Sequence, residues 1–411
     1  MENISYQDCV GSKDLPIETN PEYLSRALAY KNNVFKGEDG LSDFLNPEIF
    51  QQTPLVELPN SLNPYLDRGV HVFAKMLSLT PLMNIKSVPS FHMIDQAYKE
   101  GNLDNVEELI ESSSGNTALG LSVFARHYGI QNTRVIVDDT ISPCLLKNLL
   151  LFGLKVQIHP TDSNSISKLD SSRVDLARKE GRKQGKFNPD QYDNKHNPAA
   201  HFKYTAKELL NQLDGNIQVF STGLGTAGTM VGISKALRLA LPKIKCVGTV
   251  RAPNTYVPGP RTLELLKEVS YKWEDSIDSL QDATPNESYT MSLKLLRSGI
   301  MGGPSSGLNL AGSFKYLDDC IANRTLDSLR NSEDKINLVF LVCDSPFLHV
   351  DKYFKHVSKD FFLPVENGNL LKESCSAIPT VTLDPSIVSM PAVTRGILNV
   401  DCGNFTSEMS Q

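Results

Sequence analysis

The sequence predicts an α/β protein built on mainly parallel sheets that are flanked by helices. From about residue 53 to residue 350, short β-branched runs alternate with stretches of helical periodicity. This alternation is typical of parallel strands that are joined by helical crossovers. Hydrophobic residues make up 40% of the 411 residues and charged residues 21%, as in an ordinary globular protein with a large buried core.

The predicted elements of the first half alternate between strand and helix. They are a strand at 70–76, helices at 90–100 and 117–128, a strand at 134–137, a helix at 143–152 and a strand at 154–159. The helix at 90–100 carries Phe91, Ile94 and Ala97 on one stripe, and Gly101 ends it. Gly129 closes the following helix in the same way.

The second half repeats the alternation. It contains a helix at 200–213, a strand at 217–221, a helix at 230–241, a strand at 245–250, helices at 287–298 and 306–320, and a strand at 336–343. Residues 1–50 are polar and are predicted to form an N-terminal extension. Residues 365–411 are rich in Ser, Thr and Pro and are predicted to form an irregular C-terminal tail.

Charge and composition exclude several classes of function. A net charge of -6 gives no general attraction to nucleic acid or to anionic lipid. No apolar run approaches the roughly 18 residues of a membrane span, and the acidic N-terminus resembles neither a secretory signal nor a transit peptide. The seven cysteines are scattered without a CxxC pair, which favours reduced thiols and a cytoplasmic location. No metal site is predicted, because the histidines show no metal-binding spacing.

A glycine-rich turn, GLGTAGT at 223–229, lies between a predicted strand and a predicted helix. Glycines let backbone N–H groups approach an anion, and the helix N-terminus adds its dipole, so the turn is a candidate phosphate cradle. A tight turn without a ligand is the alternative. The string also fits GxGxxG, but no acid for a ribose lies between Thr229 and Arg261. Arg251 is a candidate for a 2′-phosphate, so an NADP-dependent oxidoreductase stays open as a second interpretation.

Several short strings occur in order along the chain. They are TPLVEL at 53–58, NIKS at 84–87, SSGNT at 113–117, DQYDN at 190–194, NPAAH at 197–201, GTAGT at 225–229, GPSSG at 303–307 and DS at 344–345. Together they resemble the motifs of fold type II pyridoxal-phosphate enzymes, and specifically the cysteine synthase and cystathionine β-synthase family. The resemblance covers about residues 50–355.

The resemblance implies a two-lobed architecture similar to the β subunit of tryptophan synthase. The catalytic core would span residues 51–364, with a small lobe at about 85–200 inserted in the large lobe. The cofactor would be pyridoxal 5′-phosphate, and its lysine would be Lys86, with Lys75 and Lys99 as alternatives. The flank LMNIKSVP lacks the glycines and the acid of the family pattern. A catalytically silent homologue that acts as a regulatory or binding subunit is therefore a further interpretation.

The resemblance also assigns the other site residues. The cofactor phosphate would be bound by Gly225, Thr226, Ala227, Gly228 and Thr229, the ring oxygen by Asn116 and the pyridine nitrogen by Ser305. The substrate carboxylate would be bound by Ser113, Ser114, Gly115, Thr117 and Gln191. Asn116 and the Ser305–Ser306 pair also suit helix caps, which is the alternative role for each.

The implied activity is that of a transferase or lyase that performs β-replacement. An activated L-serine (O-acetylserine, O-phosphoserine or serine itself) would lose its β-substituent through an aminoacrylate. Sulfide or a thiol would then add, giving cysteine or a related amino acid. A hydroxyl at the pyridine nitrogen favours this chemistry over transamination, and Arg261 is a candidate for recognising an anionic group. The family resemblance also implies a homodimer.

Overall fold

The structure, a computed structural model, describes residues 33–50, 52–160, 168–267, 269–368 and 380–381. The helices are α1 Gly40–Leu45, α2 Ser87–Lys99, α3 Asn116–His127, α4 Pro143–Leu151, α5 Lys168–Gly181, α6 His196–Ala200, α7 Ala206–Gln212, α8 Gly228–Ala240, α9 Leu263–Leu266, α10 Pro285–Arg297, α11 Pro304–Ala322 and α12 Val350–His356. The strands are β1 Leu55–Glu57, β2 Val70–Met76, β3 Glu108–Glu111, β4 Asn132–Asp138, β5 Lys155–His159, β6 Lys186–Phe187, β7 Val219–Gly223, β8 Lys245–Arg251, β9 Ser279–Ala283, β10 Ile336–Val342, β11 Val365–Glu366 and β12 Thr380–Val381.

The larger sheet has six strands in the order β1-β2-β10-β7-β8-β9. Its neighbouring strands run parallel, except that β1 pairs with β2 in the antiparallel direction. The central strand β10 is buried along its whole length. A strand that is covered on both faces needs a nearly continuous apolar run, and six of the seven residues of INLVFLV are apolar.

The smaller sheet has four parallel strands in the order β5-β4-β3-β6. Helices α2 and α3 pack beside it, and Ile94, Phe124 and Leu109 share one apolar cluster. These strands lie within the interval predicted for the small lobe, whose boundaries stay a prediction. The predicted α/β fold class is confirmed.

The predicted elements agree with the structure to different degrees. The strand at 70–76 has the predicted bounds. The helix predicted at 90–100 begins earlier, at Ser87, because Pro89 lies in its first turn, where a missing N–H costs nothing. The helix predicted at 200–213 is not continuous, since a π-helical turn at His201–Thr205 separates α6 from α7. The strand predicted at 336–343 ends one residue sooner, at Val342.

The two predicted terminal segments lie mostly outside the described residues. Of the predicted N-terminal extension, residues 33–50 are described and include α1. Of the predicted tail, the described residues include the two-stranded pair of β11 with β12. No helix within the described ranges is both long and apolar enough to cross a membrane.

Candidate active site

A cavity of about 450 Å³ lies where the carboxyl ends of strands from both sheets face one another. Its lining includes the ends of β7, β8 and β10 from the larger sheet and the loop that follows β3 in the smaller sheet. Ligands of open α/β folds bind at this edge of the sheet, and the volume suits a small cofactor with a substrate.

Lys86 lies immediately before the first residue of α2, and it lines this cavity. Its backbone is held on both sides, because its N–H donates to Asn84 Oδ1 at 2.9 Å and the N–H of Ile85 donates to the carbonyl oxygen of Cys343 at 2.7 Å. Burial lowers the pKa of the Lys86 amine from its usual 10.5, an effect that the nearby Cys343 partly opposes. A lowered pKa leaves more of the amine neutral, which is the form that attacks a carbonyl or accepts a proton.

The alternative lysines lie elsewhere. Lys75 is fully buried, and its Nζ donates to the carbonyl oxygen of Thr53 at 2.7 Å, to Gln212 Oε1 at 2.9 Å and to Glu208. Lys99 lies on the far end of α2 and forms a 2.8 Å ion pair with Asp95. Neither residue lines the cavity, so the geometry favours Lys86 over both.

The glycine-rich turn lies between β7 and α8. Gly225, Thr226, Ala227 and Thr229 line the cavity. Gly228 does not, because its Cα faces Asn197, whose Oδ1 would lie 2.6 Å from an added Cβ. The same Asn197 donates from Nδ2 to Thr226 Oγ1 at 3.2 Å and so holds the turn in place.

Two backbone features bring the turn close to the cavity. Ala227, immediately before α8, has a φ of +63°, a left-handed conformation that normally favours glycine. A Cβ on Gly225 would lie 2.7 Å from the carbonyl oxygen of Gly259, so only glycine fits there without a shift of the loop.

His201 supports the last residue of the turn. Its Nε2 lies 3.1 Å from Thr229 Oγ1, and its Nδ1 lies 2.9 Å from Thr205 Oγ1. Burial, followed by the charge of Lys86, lowers the pKa of His201 to about 3. The imidazole is therefore neutral and holds the threonine without adding charge.

The predicted substrate loop connects β3 with α3. Its residues Ser113, Ser114, Gly115, Asn116 and Thr117 all line the cavity, as does Gln191. Thr117 Oγ1 donates to Gln191 Oε1 at 2.9 Å, and Gln191 Nε2 donates to the carbonyl oxygen of Ser112 at 3.3 Å. The open N-terminus of α3 therefore faces the cavity with a fixed set of hydroxyl and amide groups.

The alternative capping roles are wrong. Gly115 occupies the cap position of α3, and the side chain of Asn116 bonds to Asp344 instead. Gly303 occupies the cap position of α11, where Ser306 Oγ accepts from the N–H of Cys343 at 2.9 Å. Ser305 lines the cavity from the first turn of this helix.

The sequence argument missed several residues that line the cavity. They include Asp138, Arg173, Asn309, Cys343 and His349, while Asp344 was noted only as part of a motif. Asp344 lies two residues after the end of β10, and the carboxyl end of a parallel strand is itself a signal for a ligand-facing position. Among the described residues, no group of three or more His, Cys, Asp or Glu side chains could hold a metal ion.

Comparison with known proteins gives a family match over the part of the chain that contains most of the residues lining the cavity. Residues 48–324 match the family model described as pyridoxal-phosphate dependent enzyme. Cysteine synthase B of Campylobacter jejuni is 26% identical over 307 residues, which cover 70% of this chain and 95% of that protein. N-(2-amino-2-carboxyethyl)-L-glutamate synthase of Ralstonia nicotianae is 31% identical over 263 residues, covering 62% of this chain and 76% of that protein.

Solved structures share the fold. A hydrogen sulfide-producing enzyme of Fusobacterium nucleatum superposes with a TM-score of 0.61 at 24% identity, covering 74% of this chain and 96% of the other. O-ureido-L-serine synthase superposes with a TM-score of 0.59 at 23% identity, covering 73% and 90% of the two chains. These similarities show the fold of the chain.

Proposed function

The chain belongs to the family of pyridoxal-phosphate-dependent enzymes, and from this premise we propose that it replaces the β-substituent of an activated L-serine. The amino-acid substrate is O-acetylserine, O-phosphoserine or serine, and the incoming nucleophile is sulfide or a thiol. The product is cysteine or a related amino acid. The similarity to cysteine synthase B supports this choice. Family membership leaves no support for the NADP-dependent oxidoreductase.

The residues around the cavity fit pyridoxal phosphate. Lys86 offers an amine of lowered pKa, and the turn at 225–229 offers backbone N–H groups at the N-terminus of α8. The turn carries no acidic side chain that would repel a phosphate. When bound, the cofactor supplies an electron sink for the pair released at the substrate α-carbon. The observation that carries the proposal is that Lys86 and four residues of this turn line the same cavity.

Lys86 binds the cofactor through its amine and then acts as acid and base. A neutral amine removes the proton from the substrate α-carbon and later returns it. His201, which is neutral, and Thr229 keep the phosphate side of the cavity fixed while this proton moves.

The loop after β3 orients the amino acid. Ser113, Ser114, Gly115, Thr117 and Gln191 bind its carboxylate at the N-terminus of α3, where the helix dipole is positive. Fixing the carboxylate in this way holds the α-proton toward Lys86.

Asn116 and Ser305 bind the ring of the cofactor. Asn116 would donate to the ring oxygen of the cofactor, and Ser305 would meet its pyridine nitrogen with a hydroxyl group. A hydroxyl leaves this nitrogen largely unprotonated, which weakens the electron sink and favours loss of a β-substituent over transamination.

An amine is the second candidate for the nucleophile. The observation that favours it is the 31% identity with N-(2-amino-2-carboxyethyl)-L-glutamate synthase. In this alternative, the same half-reaction at Lys86 is followed by addition of an amino group rather than a thiol. The homodimer remains part of the proposal, and the molar mass in solution by light scattering tests it.

The first experiment asks whether Lys86 carries the cofactor. The purified protein, incubated with pyridoxal phosphate, should gain a visible absorption band that borohydride abolishes, with the added mass on the peptide that contains Lys86. Lys86→Ala should lose this mass, whereas Lys99→Ala, which removes a lysine outside the cavity, should keep it. A protein that takes up no cofactor would support the silent subunit and overturn the proposal.

The second experiment identifies the reaction. The loaded enzyme is incubated with O-acetylserine, O-phosphoserine or serine, each with sulfide, a thiol or glutamate, and the products are read by mass spectrometry. A thioether or cysteine product supports the first candidate, and a secondary amine supports the second. Transamination products alone would contradict both.

A further inference from the structure

Asp344 is a buried carboxylate in the cavity that the reaction proposed above does not use. We propose that Asp344 is a positioning residue that fixes the orientation of the Asn116 amide, while His349 holds the carboxylate in place. The inference rests on the proposed function, since Asn116 is there the donor to the ring oxygen of the cofactor. It adds a carboxylate–amide pair and a histidine to the machinery of the site.

The backbone of Asp344 connects two parts of the site. It follows β10 and forms an isolated antiparallel bridge with Asn84, two residues before Lys86. Its carbonyl oxygen accepts from the N–H of Gly303 at 2.8 Å, at the start of α11. A residue held between the lysine segment and α11 has little freedom to move when ligands bind.

The side chain of Asp344 is held equally closely. It is 6% exposed, and its Oδ2 accepts from Asn116 Nδ2 at 2.9 Å. The same oxygen lies 3.6 Å from His349 Nε2. A Cβ on Gly303 would lie 2.3 Å from Asp344 Oδ1, so the backbone of α11 closes the remaining side.

The carboxylate of Asp344 determines which end of the Asn116 amide faces it. An ionised carboxylate only accepts hydrogen bonds, so it selects the Nδ2 end of Asn116. That nitrogen carries two N–H groups, and one of them is used by Asp344. The second remains for the cavity, which Asn116 also lines. Without a partner that only accepts, the two similar ends of the amide compete for the same place.

His349 belongs to the same cluster. It is 7% exposed and lies at the end of the short helical turn Pro346–His349 that follows the strand. In the tautomer that carries its proton on Nε2, the ring would offset part of the cost of burying the carboxylate. Burial raises the pKa of Tyr289 and of Tyr353, and the nearby Asp344 adds a smaller contribution to each increase.

Asp344→Asn tests the proposal, because it keeps the shape and removes the obligate acceptor. The variant should still carry the cofactor on Lys86 by mass, but the visible circular dichroism of the bound cofactor should change. The kcat should fall roughly 10- to 100-fold, with little change in KM for the amino acid. Asp351→Asn, an exposed site on α12, is the matched control and should change neither property.

A second set of variants separates positioning from folding. Asn116→Ala should give the same spectral change as Asp344→Asn, and the double variant should add nothing, because both act through one bond. His349→Leu should reproduce part of the change in circular dichroism. His349→Gln keeps a hydrogen-bond donor and should therefore retain the wild-type spectrum. These variants decide the question even if Asp344→Asn does not fold.

Two failures remain distinguishable. Wild-type protein without cofactor on Lys86 would overturn the proposed function itself. Wild-type protein that carries the cofactor, combined with unchanged circular dichroism in the Asp344 and Asn116 variants, would overturn only this inference. An additive double variant would likewise show that the two residues do not act as a pair.

Discussion

Two buried lysines show how strongly the surroundings of a single residue decide its role. Burial lowers the pKa of both Lys75 and Lys86. Lys75, however, is paired with Glu208 and bonded to Gln212, whereas Lys86 lies in the cavity. The first is suited to hold β2 against α7, and the second is suited to chemistry.

Lys75→Met should therefore destabilise the protein without changing which residue carries the cofactor. Removing one partner of a buried pair leaves the other charge uncompensated, which costs about 3–5 kcal/mol. Urea unfolding measures the loss, and the cofactor mass should stay on Lys86. Lys99→Met should cost less, about 1 kcal/mol or below, because the Lys99 side chain is half exposed and Asp95 still accepts hydrogen bonds from Gln96 and Tyr128. Equal effects of the two variants would contradict the structural role of Lys75.

Glu111 is a single residue that should make the stability of the protein depend on pH. Burial, followed by the charge of Asp190, raises the pKa of this carboxyl from 4.5 to about 8. Between these values the folded protein holds a proton that the unfolded chain has lost, so stability falls as the pH rises. The free energy of unfolding falls by at most about 1.4 kcal/mol for each pH unit.

Glu111→Gln should remove this slope. The variant keeps the shape and cannot ionise, so its stability relative to wild type should increase from about pH 5 to about pH 8. Urea midpoints at several pH values measure the difference, and the difference between the two proteins cancels the other titrating groups. A constant difference across the range would show that the carboxyl ionises normally in the folded state.

At the scale of elements, the glycine-rich turn makes a sharp prediction. Gly225→Ala places a Cβ 2.7 Å from the carbonyl oxygen of Gly259, so one of the two loops must move. We expect weaker binding of pyridoxal phosphate, measured by titration of its absorption band. Gly115→Ala is the comparison, because a Cβ there meets no atom within 4 Å. Gly115→Ala should leave the cofactor affinity unchanged. Equal losses of affinity in both variants would show that the close contact between Gly225 and Gly259 is not what the cofactor depends on.

The elements also show what the sequence can predict. Strand β10 was found because it is buried along its whole length and six of its seven residues are apolar. Strand β2 was found although His71 and Lys75 interrupt its apolar residues. Strand β9 was missed because its residues, SLQDA, are mostly half-exposed or exposed and carry little apolar signal. The break at His201–Thr205 was missed because a π-helical turn leaves the apolar pattern intact. It nevertheless places His201 against Thr229, which lines the cavity.

The candidate site was predictable where chemistry coincides with a local motif. Lys86, Asn116 and the turn at 225–229 lie on contiguous strings that resemble family motifs. Asp344 and His349 gained their meaning only from contacts across the fold, since the partner of Asp344 is Asn116, far away in sequence. Spacing within one segment cannot reveal a pair of this kind.

At the scale of the whole molecule, the cavity is shared by two sheets. Ser113 and Thr117 follow a strand of the smaller sheet, whereas Thr226 follows β7 of the larger sheet and Ser305 lies in the first turn of α11. A ligand that contacts both sets links the stability of the two sheets. At about 100 times its Kd, such a ligand adds about 2.7 kcal/mol to the free energy of unfolding.

Hydrogen exchange resolves where this stabilisation acts. Pyridoxal phosphate alone should protect the turn at 225–229, and the amino-acid substrate should add protection at 112–117. Lys86→Ala should retain a weaker protection of the turn, because the phosphate contacts do not need the lysine, and should lose the response at 112–117 to the substrate. Protection of the second loop in this variant would mean that the substrate binds without the lysine, and the two sheets would then be independent.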